Sequence, residues 1–177
     1  RCVAHYGAFW RRGIPVDVID SEQSFTGYKL LIAPMLHLLK PGVAERVEKF
    51  VESGGTFVTT YLSGMVDEHD LCFLGGFPGP LRKVLGIWVE ENDVFADGQR
   101  QGIQVADGNT LGLSGTYEVS HYADVLHTEG AQVFATFTED YYRGGPALTR
   151  NAFGEGQAYY IASRNDERFL ADVYRGL

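Results

Sequence analysis

The run Lys29-Leu-Leu-Ile-Ala-Pro34, followed twenty-odd residues later by Thr56-Phe-Val-Thr-Thr-Tyr61, limits the possible folds of this chain more than any other feature. The first run is continuously apolar, as in a strand covered on both faces, and the second is rich in the β-branched and aromatic residues that strands prefer. Between them, Val43, Ala44, Val47, Phe50 and Val51 form one apolar stripe at helical spacing, while Glu45, Arg46, Glu48, Lys49 and Glu52 face water. Pro41 suits the first turn and Gly54-Gly55 the stop. Two strands joined through such a helix form a βαβ unit and run parallel. The chain is therefore expected to be of the α/β class. At 177 residues it is expected to be one large domain, residues 1–177, able to bury about 70% of its unfolded surface.

The remaining elements are read outward from this unit. Val3, Tyr6, Phe9 and Trp10 predict a helix from about Cys2 to Arg12, stopped by Gly13. An α/β domain normally places a buried strand before its first helix, so the expectation is a sequence that starts after such a strand. Ile14-Pro-Val-Asp-Val-Ile19 reads as a short strand. Residues 62–80 are irregular and rich in glycine, as functional or interface loops are. A short helix is predicted from Pro80 to Leu85 and a strand from Ile87 to Glu90. Residues 92–120 read as an insertion carrying brief strands. Ala131–Phe137 alternates in character, and Ala147–Phe153 and Gln157–Ala162 flank Gly154-Glu-Gly156 as in a hairpin, so antiparallel strands are expected here. Asp166 is placed to cap a closing helix with Phe169, Leu170 and Val173 on one face.

Several kinds of function are disfavoured by the same residues. A formal net charge of −8 with scattered basic residues repels a phosphate backbone, so nucleic acid is not an expected partner. Cys2 and Cys72 stand in unrelated contexts, which signals neither a disulfide framework nor a zinc site, and a reducing, cytoplasmic setting is expected. No apolar run approaches the ~20 residues that span a bilayer. No metal and no cofactor are expected: Asp67, Glu68, His69 and Asp70 match neither a Ca²⁺ loop nor a zinc helix, and Gly75-Gly-Phe-Pro-Gly79 lacks the Lys and Ser/Thr of a phosphate-binding loop. Cys72 with His69 three residues away is read as an incidental thiol, because no third group orients the His. Trp88, Tyr141 and Tyr142 are candidates for stacking on sugars, with the core as the commoner place for such residues.

Six fragments in order carry a resemblance to a known family: Gly13-Ile-Pro-Val-Asp-Val18, Tyr28-Lys-Leu-Leu-Ile-Ala-Pro-Met35, Val51-Glu-Ser-Gly-Gly-Thr56, Ser63-Gly-Met-Val-Asp-Glu68, Leu74-Gly-Gly-Phe-Pro-Gly-Pro80 and Gly154-Glu-Gly-Gln-Ala-Tyr-Tyr160. Together they resemble the middle, trimerisation domain of family 42 β-galactosidases. The resemblance implies a flavodoxin-like fold related to class I glutamine amidotransferases, with helices on both faces of the sheet and antiparallel strands toward the C-terminus. The family's domain has a strand before the helix at Cys2, and this sequence shows none there, so the expected fold lacks its first strand. The implied role is non-catalytic: oligomerisation of an enzyme that hydrolyses terminal β-D-galactosides. The implied partners are the enzyme's own catalytic barrel and neighbouring subunits of a homotrimer.

Two residue patterns agree with a domain that performs no chemistry. The family's acid/base glutamate follows an asparagine, whereas the asparagines here precede Asp93, Thr110, Ala152 and Asp166, and 177 residues cannot supply the roughly 250 of a barrel. Amidotransferases place a nucleophilic cysteine in the turn after the strand corresponding to Thr56–Thr60; that place is taken by Tyr61, a phenol ionising near ~10 where a thiolate would be needed. The loop beyond it supplies the interface or active-site-rim candidates Met65, Asp67, Glu68, Phe73, Phe77 and Pro78. An amidotransferase-like hydrolase and a galactoside-binding module are the alternatives.

Overall fold

The computed structural model describes residues 2–177. Helix α1 (Cys2–Trp10) buries His5, Ala8 and Phe9 and ends where Gly13 adopts a left-handed φ of 66°. The βαβ unit follows as β1 (Leu30–Ala33), α2 (Val43–Glu52) and β2 (Thr56–Thr60). β1 and β2 are parallel, with Leu30 opposite Thr56 and Ala33 opposite Thr59. α2 buries Val43, Ala44, Val47 and Val51, a stripe in which each fully buried valine contributes about 2 kcal/mol of apolar burial. Phe50, at the edge of that stripe, is only half-buried.

A short 3-10 turn at Gly79–Leu81 leads into α3 (Arg82–Leu85), stopped by Gly86 at a φ of 61°. The remaining strands are β3 (Ile87–Val94), β4 (Arg100–Val105), β5 (Thr116–Thr128), β6 (Gln132–Phe137), β7 (Pro146–Phe153), β8 (Gly156–Ile161) and β9 (Ser163–Asn165), and the chain closes with α4 (Glu167–Gly176). They form a nine-stranded sheet in the order β1-β2-β8-β7-β6-β4-β5-β3, with β9 paired to β5. The sheet is parallel across β1, β2 and β8 and antiparallel elsewhere. β8 pairs with β2 and β7, while its continuation β9 pairs with β5. The antiparallel part therefore curls back on its own starting strand. Ala158 to Ile161 are all buried, as expected of a strand at the junction of both halves. α2 and α3 lie against this junction, and α1 packs on α4 through Phe9 and Tyr174, whose ring centroids are 5.0 Å apart.

Two sequence expectations are corrected here. Ile14–Ile19 forms no strand: its composition suits a sheet, but among the described residues β1 is laddered only to β2 and the segment has no strand partner. Val18 is 87% exposed in consequence. Residues 92–120 are not an insertion with brief strands. They hold the end of β3, all of β4 and the start of the 13-residue β5, and these strands belong to the one sheet. The glycines that interrupt the periodicity, Gly98, Gly108, Gly112 and Gly115, are turns with positive φ between long strands.

Candidate functional site

β2 ends in a sharp turn. Tyr61 still holds the ladder, donating its N–H to the Ile161 carbonyl at 2.8 Å. Its buried ring stacks on Tyr122, with centroids 5.6 Å apart and planes 16° from parallel. Leu62 then turns the chain at a φ of 58°, a left-handed conformation that costs a leucine roughly 1–2 kcal/mol and has to be held by its surroundings. The Leu62 N–H donates to Oδ2 of Asp124 at 3.2 Å, and that carboxylate also accepts from the Tyr160 hydroxyl at 2.5 Å and the Asn92 amide at 2.7 Å. Burial raises the Asp124 pKa to about 6, against the opposing effect of these three donors. Burial, with the carboxylate beside it, holds the Tyr160 phenol well above its ordinary value. Ser63 completes the turn by donating to the Thr60 carbonyl at 2.6 Å and accepting from the Leu36 N–H at 3.0 Å.

The turn therefore presents a stacked phenol where the amidotransferase comparison would need a thiolate, and the hydroxyl of Ser63 is committed to two backbone groups and the Thr59 hydroxyl. The two thiols of the chain lie elsewhere, both exposed. His69 is 3.7 Å from Glu68, and among the described residues no hydrogen bond joins it to Cys72.

The loop after this turn is pinned at its base and open at its tip. Isolated bridges join Val66 to Leu38 and to Cys72, and Phe77 to Val89. Pro78 is buried, and Met65, Phe73 and Phe77 are half-buried, with Phe73 and Phe77 packed on the core. Asp67 accepts from the His69 and Leu71 N–H groups at 2.8 and 3.0 Å, which lowers its pKa and folds the loop tip. Asp67, Glu68 and His69 offer ligand atoms within 4.8 Å of one another, but the Asp67 carboxylate is already engaged with backbone and Glu68 and His69 face solvent. The groups that this loop offers outward are Glu68, His69, Asp70, Leu71, Cys72 and Leu74.

Of the aromatic candidates, Tyr142 is buried, donating to Asp93 at 2.7 Å and accepting from Gln101 at 2.9 Å, so it is no platform for a sugar. Trp88 is half-buried and stacks on His127 at 5.0 Å. Tyr141 remains exposed.

A feature missed by sequence reasoning lies at the opposite end of the parallel strands. A cavity of about 750 Å³ opens between residues 22–29 and the last turns of α2, with Phe25, Lys29, Arg46, Lys49 and Phe50 on its wall. The signal was topological: a crossover helix runs antiparallel to its strands, so its last turn lies level with the residue that starts β1. The Thr56 N–H indeed donates to the Lys29 carbonyl at 2.9 Å.

Comparison with known proteins places these features in a family. The profile of the β-galactosidase trimerisation domain matches residues 1–177. The β-galactosidase Pbg of Clostridium perfringens is 57% identical over 176 residues, which are 99% of this chain and 26% of that protein. The crystal structure of the cold-adapted β-galactosidase from Rahnella sp. R3 superposes with a TM-score of 0.96 at 54% identity, over 98% of this chain and 26% of that one. The fold alone recurs in a cytoplasmic protein from Salmonella typhimurium LT2, with a TM-score of 0.70 at 14% identity, where it makes up 84% of the chain. The chain thus spans about a quarter of the length of the curated relatives it matches.

Proposed function

This chain belongs to the family of β-galactosidase trimerisation domains, a non-catalytic part of those enzymes, and we propose that residues 1–177 act as one assembly domain that holds the subunits of a β-galactosidase together as a homotrimer. The parent enzyme hydrolyses terminal β-D-galactosides in the cytoplasm, using carboxylates on a catalytic barrel outside this domain, and the domain needs no metal or cofactor. Met65, Asp67, Glu68, Phe73, Phe77 and Pro78 belong to the loop that meets a neighbouring subunit, at the subunit interface or at the rim of its active site: the inward members Phe73, Phe77 and Pro78 anchor it, and Glu68 makes contact. The parallel part of the sheet, β1-β2-β8 with its crossover helix, is read as the retained half of a flavodoxin-like, amidotransferase-related sheet, with Tyr61 at the lost nucleophile position. No described helix is long and apolar enough to cross a membrane.

The observation that carries this reading is one of proportion: relatives named as β-galactosidases match this chain over nearly its whole length and only about a quarter of theirs. Light scattering on the full-length enzyme should give three times the subunit mass, and the 177-residue chain alone should leave chromogenic galactosides intact while the full enzyme cleaves them. A monomeric full-length enzyme, or galactoside turnover by the isolated chain, would overturn the proposal.

A further inference from the structure

The two ends of the parallel strand pair carry patches of opposite charge. At the starting end, the cavity beside α2 is walled by Lys29, Arg46 and Lys49. Among the described residues none of the three has a carboxylate within ion-pair distance, although the chain as a whole carries −8 and its other two lysines, Lys40 and Lys83, pair with Glu22 and Glu48. Among the described residues Glu22 is the one acid on the cavity wall, and Lys40 already occupies it. Arg46 gives one N–H to the Ser21 carbonyl at 2.7 Å, and among the described residues its buried Nε has no acceptor. Beside these cations Phe25 and Phe50 meet edge to face at 6.2 Å, so the cavity offers positive charge and an apolar aromatic wall together.

At the finishing end, the loop beyond β2 is acidic and apolar. From Phe50 to Leu81 the sequence holds no lysine or arginine. The loop turns out Glu68 and Asp70 and leaves Leu71 65% and Leu74 98% exposed. Leu71 and Leu74 give this acidic loop an apolar component that a partner surface can bury. Subunits related by a closed threefold axis need a heterologous contact, in which two different patches of the same chain meet. These two patches are complementary in charge, and because they sit at opposite ends of the same strands, one copy cannot satisfy its own.

We infer that the Glu68–Leu74 loop of one copy seats in the basic cavity of the next, with its carboxylates on Lys29 and Lys49 and Leu74 against the Phe25–Phe50 pair. This rests on the trimerisation reading and names the surfaces that carry it out. The charges steer the encounter and fix the register, and the buried leucine and phenylalanines supply the apolar centre.

Mass photometry and sedimentation velocity on the full-length enzyme test this. Lys29→Glu with Lys49→Glu should raise the concentration at which the trimer dissociates at least tenfold, and so should Glu68→Lys with Asp70→Lys. All four changes in one chain should recover most of the trimer, because the charges are then exchanged between the two ends. A trimer indifferent to both paired reversals, or one broken by each and not recovered by their combination, overturns the interface. A wild-type enzyme that is not a trimer removes the assembly reading and this inference with it.

Discussion

Asp124 is buried because the backbone at Leu62 needs an acceptor there, and the carboxylate that serves it is held away from water by β3, β5 and β8. Among the described residues the groups bonded to it are Leu62 N–H, the Asn92 amide and the Tyr160 phenol, with no cation among them. Its folded-state pKa of about 6 lies above the ordinary 3.8. The folded state therefore binds the proton more tightly than the unfolded chain does. The stabilisation this brings is fully present below about pH 4 and is lost as pH rises through 6, with a span of about 2 units or ~3 kcal/mol. Asp124→Asn removes the charge and keeps the side-chain oxygen for Leu62 and Tyr160, while the Asn92 amide can turn to accept from the new NH₂. Urea unfolding at pH 4 and pH 8 should show the variant gaining on the wild type by up to ~3 kcal/mol at the higher pH, other titrating groups being common to both. A stability difference that is the same at both pH values would refute the assignment. This carboxylate was invisible in the sequence, since Leu62, Asn92, Asp124 and Tyr160 are distant along the chain and only the curl of the sheet brings them together. Tyr61, by contrast, was legible, because its position follows from counting to the end of a strand.

At the scale of elements, legibility tracked whether a segment's partners lay nearby in sequence. The βαβ unit, the β7–β8 hairpin and the capped last helix are local, and each stands where the residues placed it. The cap itself is explicit: the Asp166 carboxylate accepts from the Phe169 N–H at 2.8 Å, satisfying one of the open donors of the first turn of α4. Asp166→Ala should cost about 1 kcal/mol in urea unfolding, whereas Asp166→Ser should recover most of that loss; equal loss in both variants would mean that the carboxylate acts by charge rather than as an acceptor. Segments whose pairing is long-range were harder to read. Val16 and Val18 alternate as a strand should, yet alternation supplies no neighbour. β5 was hidden because its 13 residues mix polar and apolar side chains while pairing with β3, β4 and β9 at different points along their length. β9 has three residues and exists only because β5 is there to receive it.

For the molecule as a whole, stability is unevenly distributed between the curled antiparallel part and the exposed stretch that precedes β1. β8 is laddered on both sides, to β2 and β7, and its residues Ala158 to Ile161 are buried. Opening any of its amides requires separating the two halves of the sheet, which amounts to global unfolding. Residues 16–20 are different: among the described residues their N–H groups make no hydrogen bond, and their side chains are largely in water. Hydrogen exchange on the 177-residue chain should therefore find the amides of Val16 to Asp20 exchanging near the rate of an unstructured peptide. Those of Ala158 to Ile161 should exchange slowest, with protection rising and falling with global stability when urea is added. The two loops at the ends of the parallel strands should fall between these limits for different reasons: the 67–74 tip is held by the Asp67 carboxylate, and residues 22–29 by the Lys40–Glu22 pair and the Arg46–Ser21 bond. If Val16 to Asp20 were protected as strongly as β8, the segment would be part of a ladder and the description of the β1 edge as unpaired on that side would be wrong.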